Sequence, residues 1–258
     1  MNVAILGCGP SGMMAAHAAS QCGHYIDIFS DSPDKSRRNS GVYLLHDDCG
    51  LLLNPVIVRQ GVLGIYADDF ALLYAKKVYG NAAIAPDTSI EWARHNPIIT
   101  GYNANDAIER LWALYGKQIR TLTVNGLDDV LKKLDTYDCV ISTIPAGVLF
   151  PEKQFHGNYV CVNVGSAPHG DSFIFYNVNE HCQWYRCSAI CGVFTQEYGH
   201  KFVPPENLDG QHQWKKVFKV LGQGEESSHP RLLLAGRYGA WKKSTLTHNV
   251  YYDVIKWL

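Results

Sequence analysis

Three glycines carry the most chemical information in this 258-residue chain: Gly7, Gly9 and Gly12, in the run Gly7-Cys8-Gly9-Pro10-Ser11-Gly12. A G-x-G-x-x-G spacing handles phosphate through the backbone. The first glycine permits a tight turn, the second lets a pyrophosphate approach the N–H groups of a helix N-terminus, and the third lets that helix pack closely on a sheet. The spacing alone is a weak signal, and its neighbours give it meaning. Asn2 to Leu6 is a short apolar run that reads as a buried strand, Met13 to Gln21 is rich in Ala and Met and reads as a helix, and Tyr25 to Phe29 reads as a second strand. Strand, glycine turn, helix and strand together predict a dinucleotide site.

The second strand should end in an Asp or Glu that accepts hydrogen bonds from a ribose. Ser30 stands there, followed by Asp31, while Arg37 and Arg38 nearby suit a 2′-phosphate, so the choice of dinucleotide stays open. Further along, His46 closes the apolar segment that begins at Gly41. It is a candidate for a role beside the cofactor, with a surface histidine as the alternative. Tyr137 to Ala146 reads as a strand followed by the Thr143-Ile144-Pro145 turn, the form expected where a returning strand passes the cofactor. Arg186 lies among strand aromatics in Trp184-Tyr185-Arg186. Burying it is costly unless it meets an anion, which leaves a substrate anion or a structural ion pair. Near the end, Arg231 to Ala235 is an apolar strand running into Gly236-Arg237-Tyr238-Gly239.

The elements that must position these groups follow from periodicity. Residues 51–115 interrupt the nucleotide-binding rhythm and are expected to form a helical cap, with helical spacing over Asp68 to Tyr79, a loop or lid over Asn81 to Pro97, and a helix over Asn105 to Tyr115 capped by Asn105. Leu127 to Leu134 is a further amphipathic helix, and Thr247 to Trp257 the last one. Between residues 151 and 228, three runs rich in β-branched and aromatic residues predict an antiparallel substrate sheet, with Gly199 to Ser228 mostly loop. The domain expectation is therefore a Rossmann-like unit from 1–50, 116–150 and 229–258, a cap from 51–115 and a β domain from 151–228.

Composition excludes some classes. A net charge of -1 rules out a strongly electrostatic, non-specific nucleic-acid binder. Any DNA contact would fall to local clusters such as Lys215, Lys216 and Lys219, or Lys242 and Lys243, for which solvated surface is the alternative. No apolar run is long enough to span a membrane, and no targeting segment is expected before the first strand. The eight cysteines form no C-x-x-C pair and read as reduced thiols of a cytoplasmic protein. A zinc cluster of His181, Cys182, Cys187 and Cys191 is disfavoured because strand alternation separates Cys182 from the other two thiols. Ser-His-Asp order, a carboxylate pair and a Walker loop are not readable.

GCGPSG at the start combined with LLLAGRYGAWKKSTLTHNVYYDV at the end resembles the FAD-binding fold of the UDP-galactopyranose mutase and flavin amine oxidase group. The FIFYNVNEHCQWYRCSAI stretch is similar to the mutase strand pair that presents an arginine to substrate. A closer resemblance, carried by ERLWALYG, DCVISTIPA, WYR and GRYGAWKKSTLTH, is to small bacteriophage oxidoreductase-like proteins, some linked to thymine hypermodification.

The resemblance implies FAD as cofactor. It would be held by Gly7, Gly9, Pro10, Ser11, Gly12, Ser30, Asp31, Arg38, Gly41, Thr143, Gly236, Arg237, Gly239 and Thr245. It also implies oxidative C–N cleavage of an amine or an amino-acid adduct, such as a glycine-modified thymine giving an aminomethyl base and glyoxylate. The expected partner is a small-molecule amine or a modified DNA base, in the host cytoplasm if the protein is phage-encoded. His46 is the candidate for positioning the amine or a water, and Arg186 for the carboxylate or a phosphate, with His248 and Lys242 behind them. The alternatives are a mutase-like enzyme without net redox and a non-catalytic dinucleotide-binding module.

Overall fold

The computed structural model describes residues 1–33, 44–64, 70–80, 88–168, 170–199, 201–205, 213–222, 224–225, 227 and 229–258. Two compact units emerge: unit 1 from Met1–Leu53, Ala104–Gly157 and Val220–Leu258, and unit 2 from Asn54–Asn103 and Asn158–Lys219. The expected three-part division therefore changes. Residues 54–103 do not form a separate helical cap but join the β-rich segment, and the helix after them belongs to unit 1.

Unit 1 begins with β1 (Asn2–Leu6), α1 (Pro10–Gln21), β2 (Tyr25–Ser30) and the two-residue β3 (Leu44–Leu45). The other segments that build unit 1 and unit 2 are, in chain order, β4 (Pro55–Leu63), α2 (Phe70–Tyr79), α3 (Thr88–His95), β5 (Ile98–Asn103), α4 (Ala104–Tyr115), β6 (Ile119–Thr121), α5 (Leu127–Lys133), β7 (Cys139–Ser142) and the short α6 (Ala146–Leu149). β8 (Gly157–Ser166), β9 (Ser172–Asn177), β10 (Trp184–Ile190), β11 (Val193–Tyr198) and β12 (Gln213–Val220) follow, then β13 (Leu232–Leu234), the single turn α7 (Gly236–Gly239) and α8 (Thr247–Trp257).

The sheet of unit 1 has the order β13-β7-β1-β2-β6, with every pair parallel. Its central strands β1 and β7 are buried on both faces, which is why they read as unbroken apolar runs rather than alternating ones. Ala4 and Leu6 join Val130 and Leu134 of α5 in one cluster. Val3 and Ile5 alternate to the other face, where α1 packs. α1 is buried almost all round because α4 and α8 cover its outer side, and a helix enclosed in this way must be apolar and small. β6 escaped the sequence reading because its three residues, Ile-Arg-Thr, carry no apolar pattern at the sheet edge.

In unit 2 the strands run β12-β8-β11-β10-β9-β4-β5. The pairs β8–β11, β11–β10, β10–β9 and β4–β5 are antiparallel, as short connections require, but β4 and β9 are parallel. That pair is joined through residues 64–171 rather than by a hairpin, so the expected purely antiparallel sheet is mixed. β4 was hidden by Pro55 and Gly61. The glycine has a packing reason, since a Cβ there would lie 3.0 Å from the ring of its register partner Phe175.

Helix α2 lays Tyr74 edge-on against Tyr176 and Tyr185. α3 occupies part of the expected loop, β12 part of the expected loop over 199–228, and Asn105 lies inside α4 rather than capping it. All eight cysteines are free thiols. No helix among the described residues is long and apolar enough to cross a membrane.

Candidate functional site

The turn from β1 into α1 lies at the carboxyl end of β1, between β2 and β7, where the strand order reverses. Open parallel sheets receive their ligands at this position. Gly7 adopts φ +100, donates its N–H to Phe29 O at 2.7 Å, and leaves room for Thr143, whose Oγ1 would stand 2.6 Å from a Cβ. Gly12 presses on the same turn, since its Cβ would fall 1.8 Å from Gly7 O. Gly9 differs: a Cβ there would meet nothing within 4 Å among the described residues.

Gly9 also caps α1 without a side-chain hydrogen bond, Pro10 occupies the first turn without an N–H, and no acidic residue sits in that turn. The first-turn N–H groups of a helix lack partners inside the helix and bear its positive end. The open face at Gly9 is therefore shaped and polarised for an anion, and a pyrophosphate fits it.

The far end of the chain returns to the same place. Gly236, at φ +75, brings its backbone onto Ser11, whose Oγ would lie 2.7 Å from a Cβ. Gly239 backs onto Ser142 O and the Thr143 Cα at 2.5 and 3.0 Å by the same measure. The Thr143 hydroxyl donates to Leu6 O at 2.9 Å, locking β7 to β1. These residues build the wall of the cradle through packing. Arg237 Nε donates to Thr245 O at 3.3 Å, and Thr245 is buried.

Ser30 Oγ accepts the Ser32 N–H at 3.1 Å, with Asp31 exposed beside it. Arg38 and Gly41 lie outside the described residues, as does Arg37.

His46 rests on the first turn of α8. Its backbone N–H points to His248 Nδ1 at 3.5 Å, and the two rings stand 5.4 Å apart, edge to face. Val250, two residues beyond His248, reaches to 3.6 Å of a Cβ on Gly236, so this histidine pair flanks the cradle wall. His46 keeps part of its surface in solvent, while burial of the rest pushes its imidazole pKa down. His248 is buried, and burial, then the neighbouring His46, lowers its pKa against the opposing pull of Asp47. Asp47 is held below the usual carboxylate range chiefly by the Cys49 N–H, with the Tyr252 hydroxyl donating at 2.7 Å. The arrangement keeps two neutral imidazoles side by side, able to accept a proton or orient a water. His248 stood only behind His46 in the sequence reading, and its place in the first turn of an amphipathic helix was the available signal.

Beneath them, His17 of α1 donates from Nε2 to Cys49 O and accepts from the Tyr115 hydroxyl at Nδ1, both at 3.0 Å. A carbonyl only accepts, so this pairing fixes the tautomer.

Arg186 lies in unit 2, and Glu197 answers the question of its anion. The guanidinium donates from Nε to Glu197 at 2.7 Å and from a second nitrogen to the same oxygen, while Tyr185 OH and Lys219 Nζ (3.1 Å) hold the other oxygen. The structural ion pair is thus present, and it takes Lys219 out of the basic cluster expected with Lys215 and Lys216. Among the described residues no group of His, Cys, Asp and Glu is placed to hold a metal ion.

The fold and its glycine cradle define the class of two-unit proteins with a dinucleotide-type Rossmann sheet. No sequence-family profile and no curated protein matches the chain. Solved structures do resemble it. An oxidoreductase from Methanosarcina mazei aligns over 99% of this chain and 100% of its own, with TM-score 0.59 and 11% identity. A tryptophan 6-halogenase from Streptomyces toxytricini covers 99% and 71%, with TM-score 0.57 and 10% identity. Klebsiella pneumoniae HpxO, complexed with FAD and uric acid, covers 99% and 78%, with TM-score 0.53 and 12% identity. At such identities the likeness is one of fold.

Proposed function

We propose that this chain is an FAD-dependent oxidoreductase. The observation that carries the reading is the cradle at Gly9, open where packing alone would accept a side chain, in a fold shared with a protein crystallised with FAD. The backbone of Gly9 to Gly12 would hold the pyrophosphate, Ser30 or Asp31 the ribose, and Gly236 to Gly239 would line the cofactor. When bound, FAD supplies a two-electron acceptor for a C–H bond of the substrate.

The substrate class that best suits the resemblance is an amine or amino-acid adduct, such as a glycine-modified thymine of phage DNA. Oxidation of its glycine carbon, followed by addition of one water and rupture of the C–N bond, gives an aminomethyl base and glyoxylate. His46 and His248, both neutral near pH 7, would keep the amine unprotonated or place that water.

The test is the visible spectrum of the purified protein, repeated anaerobically with free amines and with DNA carrying the glycine adduct. A flavin spectrum that bleaches with the adduct is the expected result. A flavin that stays oxidised with every amine refutes the amine reading, and a colourless protein that cannot be reconstituted with FAD refutes the cofactor.

A further inference from the structure

The edge of the unit 2 sheet carries a groove that the proposed chemistry does not use. β12 is the edge strand, with β8 beside it. The groove has a volume of about 540 Å³, within the range of small-ligand clefts, and is lined by Tyr159 of β8, Phe202 and Val203 after β11, and Trp214, Lys215 and Lys216 of β12. Tyr198 stacks on Phe202 with centroids 4.0 Å apart, and Trp214 closes on the two rings at 5.3 and 5.4 Å. Lys216 Nζ lies 4.5 Å from the centre of the Tyr159 ring, which is 53% exposed. No carboxylate among the described residues lines the groove, and the nearby Glu197 is taken up by Arg186 and Lys219.

Lysines on an edge strand have an ordinary use, which is to prevent edge-to-edge pairing. That use accounts for Lys215 and Lys216, and Trp214 and Phe202 pack on Tyr198, but Tyr159, edge-on to Phe218 at 4.9 Å, still leaves half its surface open beside them. Aromatic faces beside ammonium groups suit a partner with flat rings and regularly spaced negative charge. Single-stranded nucleic acid has that chemistry: its bases stack on aromatic rings whatever the sequence, and its phosphates meet the lysines.

We infer that this groove binds single-stranded nucleic acid, bases against Tyr159 and Trp214 and phosphates along Lys215 and Lys216. The inference goes beyond the proposed redox chemistry and does not depend on it. A strand held here presents unpaired bases, the state in which chemistry on a base is accessible.

The test is fluorescence anisotropy of the full chain with a labelled oligothymidylate of about 12 nucleotides, within the usual single-strand site sizes. Tyr159→Ala and Trp214→Ala are each expected to weaken binding about tenfold, with Trp214→Phe restoring most of it. Lys215→Gln with Lys216→Gln should flatten the slope of log affinity against log salt by about 1.4. This surface pair keeps the test valid if Trp214→Ala fails to fold. Equal affinity in wild type and variants, equal affinity for duplex, or full competition by thymidine monophosphate at the concentration of the strand's nucleotides would overturn the inference. Flavin absorbance on the same samples separates the two readings. A colourless protein that binds the strand fails only the cofactor, and a yellow one that does not bind fails only the groove.

Discussion

Replacing Glu197 by Gln tests how unit 2 holds its charges. Glu197 is buried, and burial alone would raise its pKa, but Arg186 first and Lys219 second outweigh it and bring the carboxyl from 4.5 to about 2. A displacement of that size corresponds to about 3 kcal/mol in favour of the ionised form, and breaking a buried pair typically costs about 3–5 kcal/mol. Glu197→Gln should therefore destabilise unit 2 by about 3 kcal/mol at pH 7, through two cations left without their carboxylate.

The sign follows from linkage. The folded pKa is depressed, so the contribution is complete above the unfolded value of 4.5 and is lost as pH falls toward about 2. The gap between wild type and variant should close over that window. Urea unfolding read by hydrogen exchange at β10 and β11 amides measures it. A difference under about 1 kcal/mol at pH 7, or one that does not change between pH 5 and pH 2, refutes the reasoning. Arg186→Leu with Glu197→Leu should recover only part of the loss, because Lys219 and the buried Tyr185 hydroxyl also lose that carboxylate.

Other perturbations separate packing from binding. Gly12→Ala forces a Cβ onto Gly7 O at 1.8 Å and should cost about 3 kcal/mol or more in a thermal or urea melt. Gly9→Ala should leave stability within about 0.5 kcal/mol, yet weaken dinucleotide binding about tenfold in a titration. His17 is buried with its pKa lowered, mainly by desolvation, so it favours folding fully above its unfolded value of 6.5 and the advantage declines as pH falls below it. His17→Gln should reduce that slope in melts taken between pH 7 and pH 5. If the His46–His248 pair accepts the proton, kcat/KM should hold its plateau to a pH below 6.5, and an acid limb that sets in above 6.5 would exclude both imidazoles.

Unit 1 was legible because its signals are local. Gly7 to Gly12 needs only neighbouring strands and a helix to be recognised, and Thr247 to Trp257 has the same ends in the structure as in the sequence reading. Unit 2 was less legible because its sheet is assembled from segments on either side of residues 104–157. Pro55 and Gly61 disguise β4, and Lys215, Lys216 and Lys219 give β12 the composition of a loop. The partner of Arg186 is eleven residues away on the adjacent strand, a pairing that depends on the β10–β11 register and its irregularity between Trp184 and Arg186. The His46–His248 contact spans 202 residues and depends on α8 folding back beside α1.

The glycines show how far packing can account for the fingerprint. A side chain on Gly7, Gly12, Gly236 or Gly239 would collide with Thr143, the Gly7 carbonyl, Ser11 or the end of β7. Those four positions are therefore explained by the protein itself, and a Rossmann-like unit without any ligand would still require them. Gly9 has extended backbone and, among the described residues, open space around it, so neither its conformation nor its described packing calls for glycine there. On the proposed function, the glycine there answers to an approaching group at the positive end of α1, one that must come closer to the backbone than a methyl would allow. Gly9 is accordingly the position at which the function of the turn, as distinct from its fold, can be measured.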